Sequence, residues 1–140
     1  MNKQLKLRML SVLAALSLAI GLGIAVGQQT PPTESKGVSA KQIGALELGP
    51  EIEGMAGRQL RLRVVTLDTG GVFAVHSHKD RPTIEYILKG NVTEFKDGTA
   101  KEYHDGDSVL ADKHTTHWWR NDGTAPAVFV AADVFHPTKQ

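Results

Sequence analysis

Two histidine-bearing stretches, Val75-His76-Ser77-His78 and His114-Thr115-Thr116-His117-Trp118-Trp119, decide the fold predicted for this chain of 140 residues. Because side chains alternate across a β-strand, a His-x-His pair on an extended segment sends both imidazoles to one face. His117 follows 39 residues after His78, in a second β-like run, so it could supply a third nitrogen. Three imidazoles around a metal leave coordination positions open for water, substrate or dioxygen.

The sequence around these histidines predicts an all-β domain. Apolar side chains alternate with other residues from Gln59 onward, and no long helical period or internal repeat follows the first 27 residues. The run from Ala127 to Val134 is continuously apolar apart from Asp133, which predicts a closing strand buried on both faces. Short strands separated by glycine turns are typical of sandwiches and barrels. The turns are Thr69-Gly70-Gly71, Lys89-Gly90-Asn91, Asp97-Gly98, Asp105-Gly106-Asp107 and Asn121-Asp122-Gly123.

The spacing of glycines and histidines forms two motifs. Gly70 is followed by five residues, then His76-Ser77-His78, and Gly90 closes the first motif. The second motif runs from Gly106 through His117 to Asn121. This pattern resembles the two motifs of the cupins over about residues 60–135. The resemblance implies a double-stranded β-helix barrel in one domain, with His76, His78 and His117 binding a metal.

The chain departs from the cupin motifs at three positions. Thr83 stands where the family has a metal-binding glutamate, and Asp112 and His114 replace the proline and glycine of the second motif. Glu85 lies two residues after Thr83 and so faces the same way, displaced by about 7 Å. Two alternatives stay open: a bulge brings Glu85 to the metal, or the site consists of three histidines and water. Glu85 is the candidate catalytic residue, either as a ligand or as a general base, and Glu94 is a weaker candidate for an inward carboxylate.

The resemblance implies one divalent transition-metal ion, Fe, Mn, Ni, Cu or Zn, because imidazole binds them all. We expect a metal-dependent, dioxygenase-like enzyme acting on a small oxygenated or aromatic compound; the alternative is a non-catalytic cupin that binds a metal or small ligand. The candidate substrate-binding residues are Trp118, Trp119, Arg81 and His114. The resemblance also implies a homodimer, in which the segment before Leu60 is exchanged as an edge strand.

The first 27 residues predict a signal peptide. Three basic residues precede an apolar run from Met9 to Val26, and Ala25-Val26-Gly27 offers the small residues of a cleavage site after Gly27. A retained anchor is the alternative, and it would be the protein's only contact with a membrane. Residues 28–41, with Pro31-Pro32, predict a linker, and residues 42–140 the cupin domain. The expected location is the periplasm or the exterior.

Charge and cysteine content narrow the function. Residues 1–27 contain three of the 16 Lys and Arg and none of the 15 Asp and Glu, so the remaining chain has 13 basic and 15 acidic residues. A net charge of −2 gives no support to nucleic-acid binding, so we expect a small-molecule partner. The chain has no cysteine, so a packed core must stabilise the domain without disulfides.

Overall fold

The computed structural model describes residues 29–137, which form eight β-strands and contain no helix. The expected signal peptide or anchor helix at residues 1–27 lies outside the described residues. Within the described part, no helix is long or apolar enough to cross a membrane. The strands are β1 (Lys36–Glu47), β2 (Gln59–Ser77), β3 (Thr83–Lys89), β4 (Val92–Lys96), β5 (Thr99–Tyr103), β6 (Ser108–Ala111), β7 (Thr116–Arg120) and β8 (Ala127–Phe135).

The strands form one sheet that curls into a nearly closed barrel, as predicted. Their order is β5-β4-β7-β2-β8-β3-β6, and β1 pairs with β2 off this path. The first half of β2, residues 59–67, pairs with β8 and β1, whereas residues 72–77 pair with β7. The change of partner occurs around Gly70, whose φ of 70° is a conformation that glycine adopts at little cost. This long strand therefore connects the two sides of the barrel.

The barrel interior is apolar at one end and polar at the other. Apolar and aromatic side chains from both sides of the barrel fill the first end, where Trp119, Leu67 and Phe129 are completely or almost completely buried. Polar and charged side chains fill the second end, and they include all three motif histidines. The buried polar residues of the interior are Arg61, His78, Thr83, Glu85, Glu94, His117 and Asp133.

Polar members of the alternating runs face inward at this second end. Arg61 and Glu85 are buried, whereas their apolar neighbours Leu60, Ile84 and Tyr86 are about half exposed, at 46%, 56% and 47%. Alternation separates the two faces of a strand but does not by itself say which face meets the interior. The outside of β2 and β3 is consequently apolar.

Two expectations need correction. The predicted linker overlaps β1, because residues 36–41 pair with β2 from Lys36 onward. Backbone hydrogen bonds to β2 stabilise this strand, and such bonds do not require apolar periodicity in its sequence. The closing strand β8 is buried on one face only, since Val128 and Val130 on its other face are partly exposed. It is nevertheless a central strand, between β2 and β3.

Two motif residues hold the turns beside the barrel. Gly90 has a φ of 87°, and a Cβ there would lie 2.9 Å from the Ala127 Cα, so only glycine fits. Asn121, which is completely buried, donates from its amide to the carbonyls of Leu67 and Ala125 and accepts from the Gly123 amide. These bonds join the end of β7 to β2.

Candidate metal centre

The three histidines meet at the polar end of the barrel, on paired strands. His76 lies in β2 and faces His117 of β7 as its register partner. His78 follows the end of β2, and its amide donates to the carbonyl of Thr115 at 2.9 Å. The strand alternation therefore brings His76 and His78 to one face, as the sequence predicts. The ring centroids of the three imidazoles lie 4.7 to 5.1 Å apart.

Hydrogen bonds orient the rings of His76 and His78. The Nδ1 of His76 lies 2.8 Å from the carbonyl oxygen of Ala74, which can only accept, so this nitrogen carries the hydrogen. The Nδ1 of His78 lies 2.8 Å from the Thr83 hydroxyl and 3.1 Å from the carbonyl of Arg81. Because the Thr83 hydroxyl itself donates to the Arg81 carbonyl, its oxygen accepts from His78. Both rings thus present an unprotonated Nε2.

A buried carboxylate orients the ring of His117. Glu94 Oε1 accepts from His117 Nδ1 at 2.6 Å, and its Oε2 accepts from the Tyr103 hydroxyl at 3.1 Å. Burial alone would raise the pKa of Glu94, but the bonds from His117 and Tyr103 hold it below its usual value. Burial, together with Glu94, raises the pKa of Tyr103 to about 12. A carboxylate behind a histidine is the arrangement that fixes ring orientation in metal sites.

The three Nε2 atoms converge on one point. The His117 Nε2 lies 2.9 Å from that of His78 and 3.1 Å from that of His76, and the indole N–H of Trp119 points toward it at 3.4 Å. Two bonds of about 2.1 Å to one metal ion, meeting at a right angle, place their nitrogens about 3.0 Å apart. The group could therefore hold a metal ion, and the donor set fits a first-row divalent ion.

The electrostatics of the site keep two imidazoles neutral. Burial is the main cause that lowers the pKa of His76 to about 4 and that of His78 to about 3. Neighbouring positive groups, Arg81 among them, lower both values further. Neutral imidazole is the form that binds a metal, so the ligands need no deprotonation near neutral pH.

Glu85 is buried in the same end of the barrel but does not join the histidine cluster. Burial is the first cause that raises its pKa to about 8, and the charge of Glu94 adds to it against the opposing effects of Arg63 and Arg81. Its Oε2 has no hydrogen-bond partner among the described residues. Near neutral pH the Glu85 carboxyl is therefore mostly protonated and can donate a proton or a hydrogen bond.

The two tryptophans lie on opposite faces of β7. Trp119 is completely buried in the core, with its ring 5.2 Å from that of His117, so it lies beside the metal centre. Trp118 points to the other face and stacks on Phe95 at 3.8 Å, with an angle of 5° between the ring planes. Adjacent strand residues point opposite ways, so Trp118 faces away from this centre, and its contact with a substrate stays a prediction.

The two other candidate substrate residues line different depressions of the rim. His114 borders an open depression of about 700 Å³ together with Met55 and Arg58. Arg81 borders a smaller cleft of about 250 Å³, and its carbonyl oxygen lies 3.1 Å from the Nδ1 of His78. Of these two candidates, Arg81 therefore lies beside the metal centre.

The residues that support the histidines have little signature in the sequence. Glu94 was expected only as a weak candidate for an inward carboxylate, and Tyr103 and the hydroxyl of Thr83 were not expected in the site. The alternation of Val92 and Glu94 before a glycine turn offered a weak signal for one of them. Tyr103 offered none, because its contact with Glu94 depends on the pairing of β4 with β5.

A family model described as the cupin domain matches residues 63–133, just over half of the chain and including all three histidines. The chain belongs to the cupin family. No curated protein sequence matches this cupin.

Several solved structures share the cupin fold at low sequence identity. A predicted oxalate decarboxylase from Thermotoga maritima is 18% identical with a TM-score of 0.57, over 77% of this chain and 96% of that one. A cupin 2 conserved barrel domain protein from Salinispora arenicola is 16% identical with a TM-score of 0.55, over 77% and 83%. An RmlC-like cupin from Shewanella frigidimarina is 19% identical with a TM-score of 0.54, over 80% and 89%. These likenesses establish the fold.

Proposed function

We propose that this cupin is a metal-dependent enzyme that uses His76, His78 and His117 to hold one divalent transition-metal ion and acts on a small oxygenated molecule. The observation that carries the proposal is the convergence of three Nε2 atoms. The Nδ1 of each ring makes a hydrogen bond that fixes the orientation of the ring. Three rings fixed in this way are prepared for a metal before it binds.

The chemistry divides between the ion and the protein. A bound ion supplies Lewis acidity and lowers the pKa of bound water. Glu94 orients His117, while Thr83 orients His78. Glu85, with its raised pKa, provides a proton to a reacting oxygen and takes it back as a general base. Fe, Mn, Ni, Cu and Zn all suit three imidazoles.

The reaction we propose is an oxygenation, since three protein ligands leave positions for both substrate and dioxygen. Small oxygenated compounds are favoured over aromatic ones, because Trp118 faces away from the centre and Trp119 is buried within the core.

One observation favours a second function, a non-catalytic module that binds a metal or small ligand. Thr83 occupies the position of the family's glutamate ligand, and its hydroxyl is bound to His78 and Arg81. A site without a carboxylate ligand can store or sense a metal without turning over a substrate.

We further propose that the protein is exported and acts as a homodimer. The basic and apolar character of residues 1–27 supports export, with cleavage after Gly27. Apolar side chains exposed on the outside of β2 and β3 support association of two copies. Mass spectrometry of the protein from its native host tests the first proposal, since export with cleavage predicts a chain that begins at Gln28.

Metal content and oxygen consumption test the enzymatic proposal together. His76→Ala and His117→Ala should each reduce bound metal from one ion per chain to near zero, because removing one of three ligands leaves a weak two-ligand site. His104→Ala is the matched control, since His104 is an exposed histidine on the surface. Oxygen uptake over a panel of small hydroxy and dicarbonyl compounds should follow the metal content. Full metal in both variants would refute the site, and metal without turnover would favour the non-catalytic module.

A further inference from the structure

Three arginines surround one buried aspartate at the polar end of the barrel. Arg61 donates to both carboxylate oxygens of Asp133, at 2.9 and 2.8 Å. Arg63 donates to Asp133 at 3.0 Å, and Arg81 reaches it at 3.4 Å. The Asp133 side chain is completely buried, and the three arginine side chains are at most 23% exposed. Three guanidinium groups therefore share one carboxylate.

Among residues 29–137, Asp133 offsets only part of the positive charge of this cluster. Three cations around Asp133 leave an excess of two positive charges in a partly buried place, where uncompensated charge is costly. Glu85 does not correct this excess, because its carboxyl is mostly protonated near neutral pH. Among the residues that line the surrounding cleft, four are cationic, Arg61, Arg63, Lys79 and Arg81, and one is a carboxylate, Asp80.

The three arginines differ in how firmly they are held. Arg61 is committed to Asp133 by two short bonds, and its guanidinium also stacks on Phe135 at 3.6 Å. Within residues 29–137, the Arg81 guanidinium makes only long hydrogen bonds, 3.4 Å to Asp133 and 3.5 Å to the Ser77 carbonyl. A guanidinium has five N–H donors in a planar fork that matches a carboxylate. Arg81 therefore keeps donors for a ligand that enters the cleft.

The cleft adjoins the metal centre. Arg81 lines the cleft, and its carbonyl oxygen accepts from the ring of His78 at 3.1 Å. A molecule bound to Arg81 would thus lie beside the histidine cluster.

We propose that the cleft of about 250 Å³ lined by Arg61, Arg63, Lys79 and Arg81 binds the carboxylate group of a small organic acid, with Arg81 as the principal donor. This inference rests on the proposed function, whose substrate class it names: the small oxygenated molecule is an organic anion. Arg61 acts as a positioning residue that holds Asp133, and Lys79 adds charge at the exposed rim.

Binding measurements on metal-free protein test the carboxylate-binding cleft independently of the metal site. Malonate is the probe, and malonamide is its uncharged counterpart of nearly the same shape. At constant ionic strength, calorimetry with chelator-treated protein should show saturable binding of malonate and none of malonamide. Arg81→Gln should weaken malonate binding about tenfold or more, because it removes hydrogen bonds to a charged group. Its metal content should stay at the wild-type level, since the backbone carbonyl that meets His78 is retained.

Two further variants keep the result decisive. Arg120→Gln changes an arginine that stacks over Phe95 outside the cleft, and it should bind malonate as the wild type does. If Arg81→Gln fails to fold, Arg81→Lys takes its place. This variant keeps the charge but lacks the planar set of guanidinium donors, and it should bind malonate more weakly than the wild type. No binding by folded wild-type protein would overturn the proposal. Binding that requires the metal and is insensitive to the Arg81 variants would also overturn it, while leaving the metal site intact.

Discussion

Glu94 connects the metal centre to the rest of the barrel, because it joins the ring of His117 to the hydroxyl of Tyr103. Glu94→Gln keeps the shape of the side chain but removes the charge that holds the His117 ring and raises its basicity. We expect the variant to bind metal about 10 to 100 times more weakly, as is typical when the partner behind a ligand is lost. Competition with a chromophoric chelator measures the dissociation constant.

The matched control for Glu94 is Glu102→Gln on β5, whose side chain is 56% exposed. This control should leave the affinity unchanged. Equal affinity of the Glu94→Gln and wild-type proteins would mean that Glu94 does not support the metal site.

Glu85 should give the stability of the metal-free protein a distinct dependence on pH. Its pKa is raised to about 8 in the folded protein from 4.5. Between these values the folded protein keeps a proton that the unfolded chain has released, so the free energy of unfolding falls as the pH rises. In Glu85→Gln this fall is absent. We expect the wild type to lose about 1–2 kcal/mol relative to the variant between pH 6.5 and 8.

Urea unfolding at several pH values measures this difference. The comparison of the two proteins isolates Glu85, because His76 and His78, whose pKa values are lowered in the folded state, are present in both. Parallel stability curves for the two proteins would show that the Glu85 carboxyl is ionised in the folded state.

Asn121 acts at the scale of elements, because it ties the turn after β7 to the middle of β2. Asn121→Ala removes three hydrogen bonds and leaves the buried Leu67 carbonyl without its side-chain donor. We expect a loss of about 3 kcal/mol in the free energy of unfolding, from about 1 kcal/mol per bond. Asn91→Ala, in an exposed turn, is the control and should change it by less than about 0.5 kcal/mol. A similar small change in Asn121→Ala would contradict the prediction.

The outside of the barrel predicts the assembly of the whole molecule. Ile84 and Leu110, which are register partners on β3 and β6, are 56% and 71% exposed. A continuous apolar sheet face of this kind marks an interaction surface. We expect wild-type protein to be dimeric by light scattering and Ile84→Glu/Leu110→Glu to be monomeric with unchanged metal content. Ala100→Glu, on exposed β5, should remain dimeric. A monomeric wild type would contradict this assembly.

The fold of this cupin and the three histidines that could hold a metal ion were predictable from the amino-acid sequence. The prediction used local or periodic features, because alternation along a strand sets the direction in which each side chain points. These features are the alternation of His76 and His78, the spacing to His117 and the positions of Gly70, Gly90, Gly106 and Asn121. Their resemblance to the cupin motifs implied the barrel, and the histidine cluster followed from them. The limits of β1 did not, because this strand depends on pairing with β2 and not on a pattern of its own.

The groups that surround the histidines depend on long-range strand pairing. Glu94 meets His117 because β4 pairs with β7, and Arg61 meets Asp133 because β2 pairs with β8. Pairings between distant strands place residues together without leaving a local trace in the sequence. The choice of buried face also depends on the tertiary structure. The alternation of Leu60 and Arg61 puts them on opposite faces of the strand, and the curl of the sheet places Arg61 inside the barrel. The charged cleft beside the metal centre exists because that curl brings together cations from two segments of the chain, residues 61–63 and 79–81.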